Sequence, residues 1–310
     1  MDKLLVVGAD SILGANLALS LCDHFEVIGL AASPISGPAG CRIETVDLRQ
    51  SATVCDYLRR ESPAWVIHCG PLATSAWETP PDDWQQGHPA ELAQAVAGAA
   101  AAQGCPVAIL TSDAVFRGPR LFHEERCRTT GEHPLAAEML RCEAAAVAAG
   151  ALVVRTHAYG WSPAPERTCG FVEAAWNALA NGQPLALDAD RHATPILASD
   201  LAALLERAYE RHLTGVYHIT GAERVSQVRF VHALAAAAGL SAPAAAQPRG
   251  KAGLIEETSL NTSHARRDLA AAMPLVREGL ARLVEQRTSG YRDRLLGAKP
   301  AAARPAELAA

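Results

Sequence analysis

Short apolar runs recur through the first half of the chain: Leu4–Val7, Glu26–Leu30, Arg42–Val46, Trp65–His68, Val107–Thr111 and Leu152–Arg155, each bounded by Gly, Pro or polar residues. Their length and β-branched content predict strands. The segments between them, Ala15–Cys22, Ala52–Arg60, Ala90–Gln103 and Pro134–Ala149, are rich in Ala and Leu with Gly at or near their ends, which predicts helices. Strands alternating with helices predict an α/β fold: a doubly wound parallel sheet with right-handed crossovers covering both faces.

After Tyr159 the pattern loosens into WSPAPERTCG, a helix near Phe171–Asn181, the short run Pro184–Leu187 and a helix near Leu201–Glu210. A smaller second lobe begins here. Val216–Thr220 predicts a late strand and Val225–Ala238 a helix. GLSAPAAAQPRGKAG predicts a connection, and GAKPAAARPAELAA at the end predicts a frayed tail.

Composition narrows the function. Of 310 residues, 49% are apolar and 20% charged, enough to bury a large core. The net charge of −5 lacks the basic excess of a nucleic-acid binder, so no nucleic acid is expected as partner. No run approaches the about 20 apolar residues of a membrane span. The start, MDKLLVVGAD, enters a strand without a basic region or cleavage site. A cytoplasmic protein without a membrane partner is expected. The eight cysteines stand singly, without CxxC spacing, and most of them read as small core residues of a reducing compartment. The 11 histidines show no HxH or HExxH spacing, so no metal site is expected.

The first strand runs into Gly8-Ala9-Asp10-Ser11-Ile12-Leu13-Gly14 and then a helix. Such a turn aims backbone N–H groups and a helix N-terminus at an anion such as pyrophosphate. Ser11 stands where a middle glycine would let the backbone approach the phosphates most closely. After the second strand, Leu30-Ala31-Ala32-Ser33 carries neither the acid that grips a ribose nor the Arg that meets a 2′-phosphate, so NAD and NADP are not distinguished. Asp47-Leu48 closes the third strand, as an adenine-edge contact or an ordinary turn.

These segments, with WVIHCG at Trp65–Gly70, TSDAVFRG at Thr111–Gly118, VVRTHAYG at Val153–Gly160, ATPILASDLA at Ala193–Ala202 and GVYHITG at Gly215–Gly221, together resemble the extended short-chain dehydrogenase/reductases, and within them the dTDP-4-dehydrorhamnose reductase group. The resemblance spans roughly residues 1 to 290. It implies a Rossmann-like NAD(P)-binding domain at 1–157 plus about 193–220, a substrate lobe at about 158–192 plus 221–294, and a flexible tail at 295–310. It implies NAD or NADP as cofactor, held by Gly8, Ser11, Ile12, Leu13, Gly14, Asp47, Leu48, Cys69 and Gly70. A nucleotide sugar would be the substrate, and a homodimer mate or partner enzyme the companion. The expected chemistry is hydride transfer to a 4-keto sugar. The family places Tyr and Lys four apart on one helix face for it, the Tyr as proton donor and the Lys lowering its pKa and holding the cofactor ribose.

This chain lacks that pair. Matching PLxxYxxxK to Pro134–Cys142 puts Glu138 at the tyrosine and Cys142 at the lysine. No shift of register repairs this, because the only lysines are Lys3, Lys251 and Lys299, and no tyrosine lies between Tyr57 and Tyr159. A thiol carries no fixed charge and cannot do the ammonium's work. Ser112 and Asp113 keep the positions of the carbonyl-polarising hydroxyl and its neighbour. Glu138 is then either a substituted acid/base or half of a surface pair with Arg141, itself a candidate stand-in for the lost charge. His68 and His88 replace asparagines typical of the family, and His123, His157 and His192 fall near the expected cleft. A hydrolytic set of Ser112, Asp113 and His123 has no GxSxG turn behind it. Two readings remain: an enzyme with a non-standard active site in which Ser112, Asp113, Glu138 and Cys142 stand at the catalytic positions, or a non-catalytic regulatory subunit that keeps the fold.

Overall fold

The computed structural model describes residues 1–78, 89–131, 134–242 and 256–298. In chain order the elements are β1 (Lys3–Val7), α1 (Ile12–Leu21), β2 (Glu26–Ala31), β3 (Arg42–Thr45), α2 (Ser51–Glu61), β4 (Trp65–His68), α3 (Pro89–Ala102), β5 (Val107–Ser112), α4 (Pro134–Ala148), β6 (Leu152–Thr156) and β7 (Ala158–Tyr159). There follow α5 (Phe171–Ala180), β8 (Arg191–Ala193), β9 (Ile196–Leu197), α6 (Ala198–Glu210), β10 (Gly215–His218), β11 (Val225–Ser226), α7 (Gln227–Ala238), β12 (Glu256–Glu257), α8 (Ser263–Leu269), α9 (Val276–Thr288) and α10 (Tyr291–Leu295).

Seven strands form one parallel sheet in the order β10-β6-β5-β4-β1-β2-β3. The predicted α/β class and parallel sheet are therefore present. Both faces of the sheet are covered, which is why its central strands read as unbroken apolar runs. In β1, Leu4 and Val6 pack on the face shared with α1 and α6, while Leu5 and Val7 pack on the face shared with α2, α3 and α4. A third core gathers Trp161, Trp176, Phe230 and Leu280 from the C-terminal half, beside a three-stranded sheet, β11-β8-β12, and the pair β7-β9. The Pro184–Leu187 run adopts no regular element.

The order of the strands reverses between β1 and β4, whose ends align at Val7 and His68. Open α/β sheets bind ligands at such a point, beyond the carboxyl ends of the strands. Among the described residues no helix is long and apolar enough to cross a membrane. His88, Lys251, Lys299, most of the Pro/Gly-rich connection and the tail from residue 299 lie outside the described residues.

Candidate active site

A cleft of about 720 Å³ opens at the reversal point. Gly8, Ser11, Ile12 and Leu13 line it, as do Asp47, Leu48, Cys69 and Gly70. Gly8 has φ +87°, and a Cβ there would stand 1.8 Å from the Cys69 carbonyl oxygen. Gly14 lies one turn into α1 and serves packing: a Cβ there would stand 2.2 Å from the Gly8 carbonyl oxygen. Ser11 takes the middle-glycine place and lines the cleft. Its hydroxyl donates to the Gly8 carbonyl at 2.7 Å and accepts the Gly14 N–H at 2.9 Å, so it caps α1. The N–H groups of Ile12 and Leu13, in the first turn, have no intrahelical acceptor.

Asp10 was not singled out by the sequence. Its carboxylate lines the cleft and accepts the Ser33 N–H at 2.8 Å, tying the loop after β2 to the turn. At the opposite flank Asp47 accepts from Arg49 Nε at 2.8 Å and Nη2 at 3.1 Å, and these bonds hold its carboxyl down to about 2. The cleft is therefore lined by the Gly8–Leu13 turn at its centre and by the Arg49-bonded Asp47 carboxylate at its edge.

His68 ends β4 and lines the same cleft. It is buried, and neither ring nitrogen has a hydrogen-bond partner among the described residues. An orphaned buried imidazole lining a large cleft fits a ligand's polar atoms. Burial holds its pKa down to about 4, so the folded chain keeps it neutral below the pH at which the unfolded chain takes up a proton. Stability is therefore lost as pH falls from about 6.5 towards 4. His68→Asn removes that burden: relative to the variant, the wild type should lose about 2 kcal/mol of stability between pH 7 and pH 5. Urea unfolding at both pH values measures this, and equal losses in the two chains would contradict it.

The residues at the expected catalytic positions lie elsewhere. None of Ser112, Asp113, Glu138 and Cys142 is among the residues lining the 720 Å³ cleft. Ser112 is fully buried; its hydroxyl accepts the Ala114 N–H at 3.1 Å as the cap of a 3-10 turn. Glu138 is half-buried and ion-paired with Arg141, whose side chain is 65% exposed. Cys142 packs into the core between α4 and the sheet, and burial pushes its thiol up to about 12. At Cys22, by contrast, the neighbouring Cys41 thiol and then the nearby Arg294 bring the thiol down to about 7. Iodoacetamide at pH 8 should modify Cys22 and leave Cys142 untouched in the folded chain. Peptide mass spectrometry reads this, and modification of Cys142 at the rate of the exposed Cys169 would show a reactive thiol on α4.

Two of the histidines near the sheet ends are structural. His123 stacks on Phe116 at 4.3 Å and its Nε2 meets the Glu257 carbonyl at 3.2 Å, so it does not join Ser112 and Asp113 in one set. His192 bonds the Asp190 carbonyl. Asp113 pairs with His157 instead, 2.7 Å from its Nδ1. Tyr159, the first tyrosine after the dyad position, offers no replacement phenol: a Cβ on Gly279 of α9 would stand 2.5 Å from its hydroxyl, and burial raises its pKa.

The profile described as the RmlD substrate binding domain matches residues 2–289. The chain belongs to that family. No curated protein matches it. Solved structures share its fold. The dTDP-4-dehydrorhamnose reductase of Bacillus anthracis, in complex with NADP, is 18% identical, with a TM-score of 0.75 over 92% of this chain and 99% of that one. The Bordetella bronchiseptica enzyme WbmH, in complex with NAD+, is 16% identical, with a TM-score of 0.73 over 93% and 99%. MoeE5, in complex with UDP-glucuronic acid and NAD, is 22% identical, with a TM-score of 0.72 over 93% and 99%.

Proposed function

We propose that the chain binds a nicotinamide dinucleotide in the 720 Å³ cleft and acts on a nucleotide sugar or related keto compound beside it, as a dTDP-4-dehydrorhamnose reductase-like protein with a non-standard active site. The observation that carries this reading is the Gly8–Leu13 turn, whose two free first-turn N–H groups and positive-φ glycine form an anion cradle at the reversal point of the sheet. In this reading Ile12 and Leu13 N–H hold the pyrophosphate, Asp47 and Leu48 border the adenosine, and His68, Cys69 and Gly70 line the passage towards β5 and β6. The dinucleotide, when bound, supplies or accepts a hydride. The likeness to structures solved with NADP, NAD+ or UDP-glucuronic acid supports the choice of ligand class.

A second reading, a non-catalytic nucleotide-sugar- or NAD(P)-binding subunit, is favoured by one observation: α4 offers the cleft neither a phenol nor an ammonium, and its Cys142 is core. Oxidation of NADH and NADPH by dTDP-4-keto sugars separates the two. The first reading expects turnover that survives Glu138→Gln, because that carboxylate is engaged with Arg141 outside the cleft. Absence of turnover with intact dinucleotide binding selects the second. Absence of binding to either dinucleotide at millimolar concentration overturns both.

A further inference from the structure

The loop after the second strand is where an open α/β sheet meets the adenosine ribose of a dinucleotide: a carboxylate there accepts from the 2′-hydroxyl, and an arginine there accommodates a 2′-phosphate. In this chain the loop itself, Ala32-Ser33-Pro34, carries neither. Another segment fills the place. Asp10, in the turn after β1, reaches across to the loop, and its Oδ2 accepts the Ser33 N–H at 2.8 Å. Two further bonds hold the turn beside β2, from the Gly8 and Ala9 N–H groups to the Leu30 carbonyl, each at 2.9 Å. Asp10, Ala32 and Ser33 all line the 720 Å³ cleft. A carboxylate therefore stands at the first residues beyond β2, although no acid follows that strand directly in the sequence.

The charges around that carboxylate leave it uncompensated. Among the described residues that line the cleft, Arg49 alone carries a guanidinium, and Asp47 engages it at Nε and Nη2. Arg167 is not among the lining residues; it donates to the Pro34 carbonyl and lies 3.6 Å from Glu166. Asp10 itself has no cation beside it, and its Oδ1 has no partner among the described residues. A hydroxyl brought to this place can donate to the carboxylate. A 2′-phosphate would meet like charge, with both nearby guanidinium groups already engaged.

We propose that Asp10 is the specificity-determining residue of the dinucleotide cleft: its carboxylate accepts from the adenosine ribose and rejects a 2′-phosphate, so the chain takes NAD(H) in preference to NADP(H). The inference rests on the dinucleotide reading above and adds the class of dinucleotide to it. The carboxylate is an acceptor only, which matches the O–H of a ribose and not the oxygens of a phosphate. Its bond from the Ser33 N–H holds it in place before any ligand arrives, so little ordering is required on binding. A charge-assisted bond to one dinucleotide and repulsion of the other act in the same direction. Together they set a preference of at least about tenfold.

The test compares the affinities of the full chain for NADH and NADPH by calorimetry. Wild type should bind NADH at least about tenfold more tightly. The disadvantage of NADPH should shrink as salt is raised, because it is electrostatic. Asp10→Asn keeps an acceptor for the Ser33 N–H and removes the charge; it should weaken NADH, strengthen NADPH and narrow the ratio about tenfold. A residue that only tethers the loop would move both affinities by the same factor. Adding Ser33→Arg to Asp10→Asn should strengthen NADPH further, a gain that damage to the fold cannot produce. The wild-type ratio requires no variant to fold. Equal affinities in wild type, tighter binding of NADPH, or a ratio unchanged in Asp10→Asn would each overturn this inference and leave the dinucleotide reading standing. Saturation by neither dinucleotide at millimolar concentration overturns the two together.

Discussion

Gly8→Ala is expected to destabilise the chain by about 3 kcal/mol or more and to abolish dinucleotide binding. Gly8 sits at φ +87°, where a side chain costs about 1 to 2 kcal/mol on conformation alone. The added carbon would also stand 1.8 Å from the Cys69 carbonyl oxygen, which is backbone and cannot swing aside. Relief requires the turn to lift away from β4. That displaces the Ile12 and Leu13 N–H groups from the anion position, so affinity falls with stability. Urea unfolding together with dinucleotide titration measures both. A variant with wild-type stability and affinity would mean that the turn does not have this geometry.

Glu143→Ala should cost about 3 to 5 kcal/mol, because it leaves a buried guanidinium without its counter-charge. Glu143 and Arg155 are almost fully buried, their side chains 5% and 6% exposed. The pair is bidentate, Arg155 Nε to Oε1 at 3.0 Å and Nη2 to Oε2 at 2.6 Å, and the Thr111 hydroxyl donates to Oε1 at 2.8 Å. The guanidinium also lies over the Phe116 ring at 5.2 Å and meets His218 Nε2 at 3.5 Å. These contacts tie α4 to β5 and β6. The bridge anchors α4 against the sheet. Glu143→Gln, which keeps a polar group of the same shape, should cost less. A loss below about 1 kcal/mol for Glu143→Ala, typical of an exposed pair, would contradict the buried geometry.

The sheet was legible because burial on both faces writes itself as continuous apolar runs. β4 has the predicted bounds, and β1, β2, β5 and β6 differ by one residue at an end. The start of α1 was not. Gly14 suggested that the turn continued to Ala15, yet Ser11 caps the helix and Ile12 begins it. Gly14 is there because α1 must pass against the Gly8 carbonyl, a tertiary reason that a propensity scale omits. β10 carries the apolar pattern of a strand, but nothing in that pattern says that it extends the main sheet beside β6.

The cleft follows from the Gly8 turn and from Asp47 and Cys69 at strand ends, so a reading along the chain finds much of it. The surroundings of α4 behave differently. That Tyr and Lys are missing is visible in the letters, whereas the engagement of Glu138 by Arg141 and of Ser112 by a backbone N–H depends on geometry. The Asp113–His157 contact joins residues 44 apart in sequence. It exists because β5 and β6 are neighbours in register, with Ser112 opposite Thr156. No local motif signals such a meeting. The nearest available sign was a histidine two residues beyond a predicted strand in a segment that resembles the family.

Titration of the purified chain with NADH and with NADPH, followed by energy transfer from tryptophan to the dihydronicotinamide, tests the dinucleotide cleft most directly. The account predicts saturable binding of at least one dinucleotide below millimolar concentration in wild type and in Glu138→Gln, and its loss in Gly8→Ala. No saturation with either dinucleotide up to millimolar concentration in a folded wild-type chain would contradict it.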